Sequence, residues 1–137
     1  MKKKEVVTCF LESEGKILIL KRSKKVGTYQ ERWAGVSGYL ENSPKRQAMI
    51  EIKEETGIAP EDVELIREGD TLEVEDIEQG IKWKIYPFLF GIKDKEMIEI
   101  DWEHTEIKWI DPARISKYQT VPKLEEALKR VWTNRRK

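Results

Sequence analysis

Histidine and cysteine are almost missing from this sequence: His104 and Cys9 are the only ones. One thiol excludes an internal disulfide, and one residue of each kind cannot assemble a zinc site. An excess of either charge is missing too. The 26 Lys and Arg residues are balanced by 26 Asp and Glu, so no overall field draws the chain to nucleic acid or an anionic membrane. Long hydrophobic runs are missing as well. Nothing approaches the ~20 apolar residues of a membrane span, and "MKKKEVVTCFLESEGK" lacks the apolar core of a signal peptide. The expectation is a cytoplasmic protein with neither a nucleic acid polymer nor a membrane as partner. Repeats, low-complexity stretches and linkers are absent, so the 137 residues are read as one domain, 1–137, large enough for a single core.

What is present is patterned. Residues 6–11 and 16–20 read as two strands of a hairpin around the turn "ESEG". Cys9 lies in the first, beside Val7 and Phe10, where a small core hydrophobe is the plain reading and a nucleophile the alternative. "KRSKKVGTYQER" is a basic, polar loop, and "WAGVSGYLE" holds glycines spaced for close backbone approach before a short strand. Ser43-Pro44 starts a helix and Gly57 stops it, which predicts a helix over 44–56. "DVELIREGDTLEVED" and "GIKWKIYPFLFGIK" suggest two long antiparallel strands, and "TEIKWIDPARI" one more, ended by Asp111-Pro112. Val121, Leu124, Leu128 and Val131 space like one face of an amphipathic helix. This order predicts an α+β fold with helices packed on a mixed sheet.

Within the first helix, "AMIEIKEETGI" gathers Glu51, Glu54 and Glu55. At the helical repeat they fall within about 100° of arc, on one face. Such a cluster is ordinarily a solvated face, each like-charged pair costing a few tenths of a kcal/mol, about 0.2–0.5. Here, however, it sits at the helix C-terminus, where the macrodipole disfavours negative charge. A compensating positive charge is called for. A hard divalent cation suits carboxylates without thiolates or imidazoles.

"EIKEETGI" resembles the second half of the Nudix box, G-x5-E-x7-R-E-U-x-E-E-x-G-U, where U is aliphatic. Glu51, Ile52, Glu54, Glu55, Gly57 and Ile58 fall on their positions. The upstream "RWAGVSGYLENSP" is similar to the loop before the Nudix helix, and "EHTEIKWIDP" to a late strand of the family. Counting back from Gly57 puts Ile50 at the arginine position, Asn42 at the upstream glutamate and Val36 at the first glycine. Gly38 arrives two residues late, as a two-residue shortening of the following loop would produce. In the family that arginine is held to orient the glutamates by ion pairing, so another cation must substitute or the site is weakened.

The resemblance implies an α/β/α sandwich and hydrolysis of a nucleoside diphosphate linked to another group, with Mg²⁺ or Mn²⁺ as cofactor. Glu51, Glu54 and Glu55 are the implied metal ligands; Glu54 can equally be a base, and a carbonyl of the Ser37–Gly38 turn is a further ligand candidate. The implied catalytic set is Glu54, Glu55 and Glu103. Glu106 competes with Glu103 as the acid from outside the box, and His104 reads as a surface or packing residue, with a general base as the alternative. Arg22, Arg32, Gly38 and Trp83 are candidates for contacting substrate, Arg22 as a phosphate clamp and Trp83, between two lysines, as a surface platform for a base. A homodimer is a possibility the family suggests. Two rivals are a catalytically weakened nucleotide-binding or regulatory module, and an isoprenyl diphosphate isomerase, which would need Cys9 as a catalytic thiol.

Overall fold

Alternation along three strands sets the layers of this protein, whose computed structural model describes residues 1–132. In β1 (Lys2–Ser13), Val7, Cys9 and Leu11 join one buried cluster and Phe10 the opposite one. In β2 (Lys16–Arg22), Leu18 and Leu20 go with the first and Ile17 and Ile19 with the second. In β7 (Ile81–Ile92), Phe88 and Phe90 lie on the first side, Leu89 on the second. Strands that are apolar on both faces need cover on both. Helix α1 (Pro44–Thr56) brings Ala48 and Ile52 to the first cluster. Helix α2 (Leu124–Val131) brings Leu124, Ala127, Leu128 and Val131 to the second. Each buried side chain of this size contributes about 1.5–3 kcal/mol of transfer free energy. The result is an α/β/α sandwich around a mixed sheet.

β1 is the centre of that sheet. It runs parallel to β7 from the Lys2–Ile81 pair to the Glu12–Gly91 pair. It turns into β2 through Glu14 and Gly15, with φ of 54° and 82°, the positive values a tight hairpin turn requires. β3 (Trp33–Ala34) and β8 (His104–Ile110) both pair with β2, while β4 (Val36–Tyr39) pairs with β1. β5 (Val63–Glu68) and β6 (Leu72–Asp76) both pair with β7.

Three expectations change. "DVELIREGDTLEVED" is two strands, not one, because the chain breaks at Gly69. Its N–H donates to the Pro87 carbonyl (3.0 Å), and its Cα lies so close to the Arg130 carbonyl that no Cβ fits. The first strand is longer than 6–11, since β7 offers a parallel partner along almost its whole length. α2 begins at Leu124; Lys123 before it has φ 63°, so Val121 packs on the core from outside the helix. The expected domain span of 1–137 includes residues 133–137, which lie outside the described residues. No helix among the described residues is long and apolar enough to cross a membrane.

Candidate active site

Helix α1 delivers the glutamates. Pro44 occupies its first turn, and Ser43 precedes it without a side-chain capping bond. At the other end Gly57, at φ 78°, returns its N–H to the Lys53 carbonyl (2.9 Å) and closes the helix directly after the acidic cluster. The three carboxylates do not share one solvated face. Glu54 is exposed and Glu51 half-buried, while Glu55 retains only 2% of its accessible surface.

Glu55 is under electrostatic tension. Its Oε1 accepts from the Ser37 backbone N–H at 3.4 Å and lies 3.6 Å from His104 Nε2. Its Oε2 is buried without a hydrogen-bond partner among the described residues. Burial pushes its carboxyl well above the usual range, and the neighbouring Glu51, Glu103 and Asp101 push the same way. Burial also raises Glu51, opposed by the hydrogen bond its Oε2 accepts from Gln47 Nε2 (2.8 Å). Gly38 faces the Glu51 carboxylate so closely that a Cβ there would overlap it. That approach is what this glycine is for.

A cavity of about 480 Å³ opens above these groups. Its lining combines polar groups, among them Glu51, Glu54, Glu103 and Arg22, with apolar ones, among them Val74, Ile85 and Leu124. Arg22 Nε donates to the Thr28 carbonyl (3.0 Å) and Nη2 contacts Thr28 Oγ1 (3.5 Å). Burial lowers Arg22 from the usual arginine range, and Glu103 and Glu55 pull it back up. The Glu103 carbonyl accepts from Ser23 N–H at 2.7 Å, which ties the end of β2 to the start of β8.

Of the residues expected to contact substrate, Arg22, Gly38 and Trp83 line this cavity and Arg32 does not. Arg32 Nη1 is engaged by the Thr120 carbonyl (3.2 Å). Glu106 is exposed on β8 opposite Lys21, away from the cavity. Trp83 is no surface platform. It is buried, its Nε1 donates to the Tyr29 hydroxyl (3.1 Å), and the Tyr39 ring stacks on it at 6.2 Å. Its flanking lysines misled because strand neighbours point to opposite faces. Trp83 turns inward with Ile81 and Ile85. The Tyr29 hydroxyl beneath it is pushed up to about 12 by burial and by donating to Asp76.

Of the two plain roles expected for His104, the structure gives packing: it is buried, with Nδ1 3.0 Å from Asp101 Oδ1 and Nε2 facing Glu55. Sequence reasoning missed this contact, along with Gln47 and Asp101. The Gln47–Glu51 spacing of one helical turn was the available signal. The Cys9 thiol is buried and pushed well up, chiefly by that burial, which makes it a core residue and a poor nucleophile.

The donor set suits a hard cation. Glu55 Oε2 is a buried carboxylate oxygen lacking a partner, beside a second carboxylate that raises its proton affinity. No ready-made cage of three acidic, histidine or cysteine side chains exists among the described residues. Mg²⁺ does not need one, because it keeps waters and takes one or two carboxylates plus substrate phosphates.

Comparison with known proteins agrees with this fold. Solved structures with similar folds include a Caenorhabditis elegans Ap4A hydrolase, at 18% identity and TM-score 0.73, matched over 95% of this chain and 94% of that one. A MutT protein from Methanosarcina mazei Go1 matches at 23% identity and TM-score 0.71, over 94% and 92% of the two chains. The dihydroneopterin triphosphate pyrophosphohydrolase of E. coli matches at 16% and 0.70, over 94% and 96%. Comparison with curated protein sequences finds no match. The model of the NUDIX domain family matches residues 1–131. With box glutamates, sandwich and family model in agreement, the chain belongs to the Nudix superfamily of diphosphate hydrolases.

Proposed function

We propose that this protein is a metal-dependent hydrolase that cleaves the diphosphate linkage of a nucleoside diphosphate linked to a second group. The observation that carries this reading is Glu55 Oε2, buried without a hydrogen-bond partner among the described residues and next to Glu51, which lines a cavity together with Arg22. Glu51 and Glu55 are the residues that would hold Mg²⁺ or Mn²⁺, with Glu54 completing the set from the solvent side. Bound there, the cation supplies neutralisation of phosphate charge and activation of the attacking water.

The chain's own groups account for the remaining work. Arg22 is fixed by Thr28 through Nε and Nη2, which leaves Nη1 to clamp a phosphate oxygen. Glu103, anchored through its carbonyl to Ser23, presents a carboxylate at the cavity wall to take the proton of the attacking water. Gly38 lets Glu51 approach the backbone. The apolar wall of Val74, Ile85 and Leu124 excludes water and receives the non-phosphate part of the substrate.

The rival reading, a nucleotide-binding or regulatory module, is favoured by Ile50 and Asn42 standing where the box has arginine and glutamate. A panel of nucleoside diphosphate derivatives with Mg²⁺, Mn²⁺ or chelator separates the two. Hydrolysis that appears with metal and vanishes with chelator is expected. Tight binding without turnover at any metal level would favour the module.

A further inference from the structure

Ile50 is aliphatic and cannot orient a carboxylate, yet both inward glutamates are fastened. Gln47 is buried at 2% exposure, and its amide has no freedom to flip. Its Oε1 accepts from the Glu41 backbone N–H (3.0 Å) and from Asn42 Nδ2 (3.1 Å), so its Nε2 must donate to Glu51 Oε2. His104 is fixed in a comparable way. A carboxylate only accepts, so the 3.0 Å contact with Asp101 Oδ1 places a hydrogen on Nδ1. Nε2 then faces Glu55 Oε1 at 3.6 Å. Asp101 is itself braced, since its Oδ1 also accepts from Glu103 N–H (3.3 Å) and its carbonyl from His104 N–H (3.2 Å).

We infer that His104, oriented by Asp101, and Gln47 are positioning residues that hold Glu55 and Glu51 in the poses that bind the divalent cation. This rests on the metal site proposed above. Neither His104 nor Gln47 is among the residues that line the cavity. Both ring nitrogens of His104 face carboxylates, Asp101 on one side and Glu55 on the other. Partners of this kind affect metal affinity or activity by about 10–100-fold when removed.

The test reads metal binding directly, from the free Mn²⁺ signal in electron paramagnetic resonance. An asparagine amide can mimic Nδ1 but falls short of Glu55, whereas a glutamine amide reaches the Nε2 position. His104→Asn and Gln47→Leu should therefore weaken Mn²⁺ binding by about 10–100-fold, with KM for nucleotide at saturating metal nearly unmoved. His104→Gln should recover most of the loss, which a merely structural role would not produce. Because His104 is the only histidine, nitrogen-15 imidazole spectra of the unaltered protein report on it alone. Mg²⁺ should shift its Nε2 resonance more than its Nδ1 resonance. Mn²⁺ affinity unchanged in both His104→Asn and Gln47→Leu, with Glu55→Gln still abolishing it, would overturn the inference and leave the metal site standing. Unchanged affinity in Glu55→Gln would remove the site and the inference together. If the variants do not fold, an Nε2 resonance indifferent to Mg²⁺ overturns it on the native protein.

Discussion

Helix α2 carries Glu125 and Glu126 in its first turn and Lys129 and Arg130 in its last, while α1 has no acid in its first turn and ends in an acidic cluster. The buried face of α2 is wholly apolar: Leu124, Ala127, Leu128 and Val131. That of α1 includes Gln47, Glu55 and Thr56. Both helices pack on the same sheet, from opposite sides, so the difference does not come from the scaffold. α2 agrees with the macrodipole and with burial at every level, as an element selected for stability should. α1 violates both at the same place. A violation confined to one turn, with partners such as Gln47 and His104 built around it, marks where function has overridden stability.

The comparison can be broken in stages, beginning with the largest expected effect. Leu128→Ala removes a buried side chain from α2 and should destabilise the protein by about 2–5 kcal/mol. A lower urea midpoint with unchanged slope is the expected readout, and turnover per folded molecule should stay at the native level. Glu55→Gln in α1 should do the reverse. Turnover falls by at least about a hundredfold, or ~2.7 kcal/mol of barrier, while far-ultraviolet circular dichroism and unfolding midpoint hold or improve. A Glu55→Gln protein with near-native turnover, or Leu128→Ala with native stability and lost activity, would erase the distinction between the helices.

The same contrast explains what could be read before the structure. The limits of α1 were legible because Pro44 and Gly57 impose local backbone conditions that no distant contact has to supply. The glutamate cluster was legible for the same reason: its spacing and its position on the macrodipole are properties of one helix. The order of strands and helices likewise pointed to helices packed on a mixed sheet. What failed depended on the third dimension. Glu55 and His104 meet only because β8 pairs with β2 and α1 packs across the sheet, a long-range arrangement without a sequence period. Trp83 was misjudged because its lysine neighbours occupy the other face of β7. Gly69 broke a strand through contacts with Pro87 and α2 that no turn rule encodes.

A smaller effect follows from the proposed metal site. Glu55 Oε2 has no hydrogen-bond partner among the described residues, and Glu51 beside it adds a like charge. A cation that binds only the folded state stabilises it by mass action, by about 1.4 kcal/mol at ten times the dissociation constant. Thermal unfolding of the native protein should therefore move upward with Mn²⁺ or Mg²⁺, and that of Glu55→Gln should not. An identical shift in both would place the cation elsewhere on the surface.

The smallest effect is the sharpest comparison, because one substitution type is expected to change sign between the helices. Glu125→Gln removes a favourable charge from the first turn of α2, where it also lies 3.8 Å from Lys129. It should destabilise by about 0.3–1 kcal/mol at low salt. Glu54→Gln removes an exposed charge from the last turn of α1, beside two other carboxylates. In the absence of metal it should stabilise by a similar amount, about 0.3–1 kcal/mol, and the gain should shrink as salt screens the patch. Adding Mn²⁺ should reverse the order, since a cation bound by the native protein turns the same charge into an asset that Glu54→Gln has lost. Matched urea titrations of the two variants, with and without Mn²⁺, read all four signs. If both substitutions destabilise equally without metal, the acidic end of α1 is ordinary helix surface and its cost to the fold is fictitious.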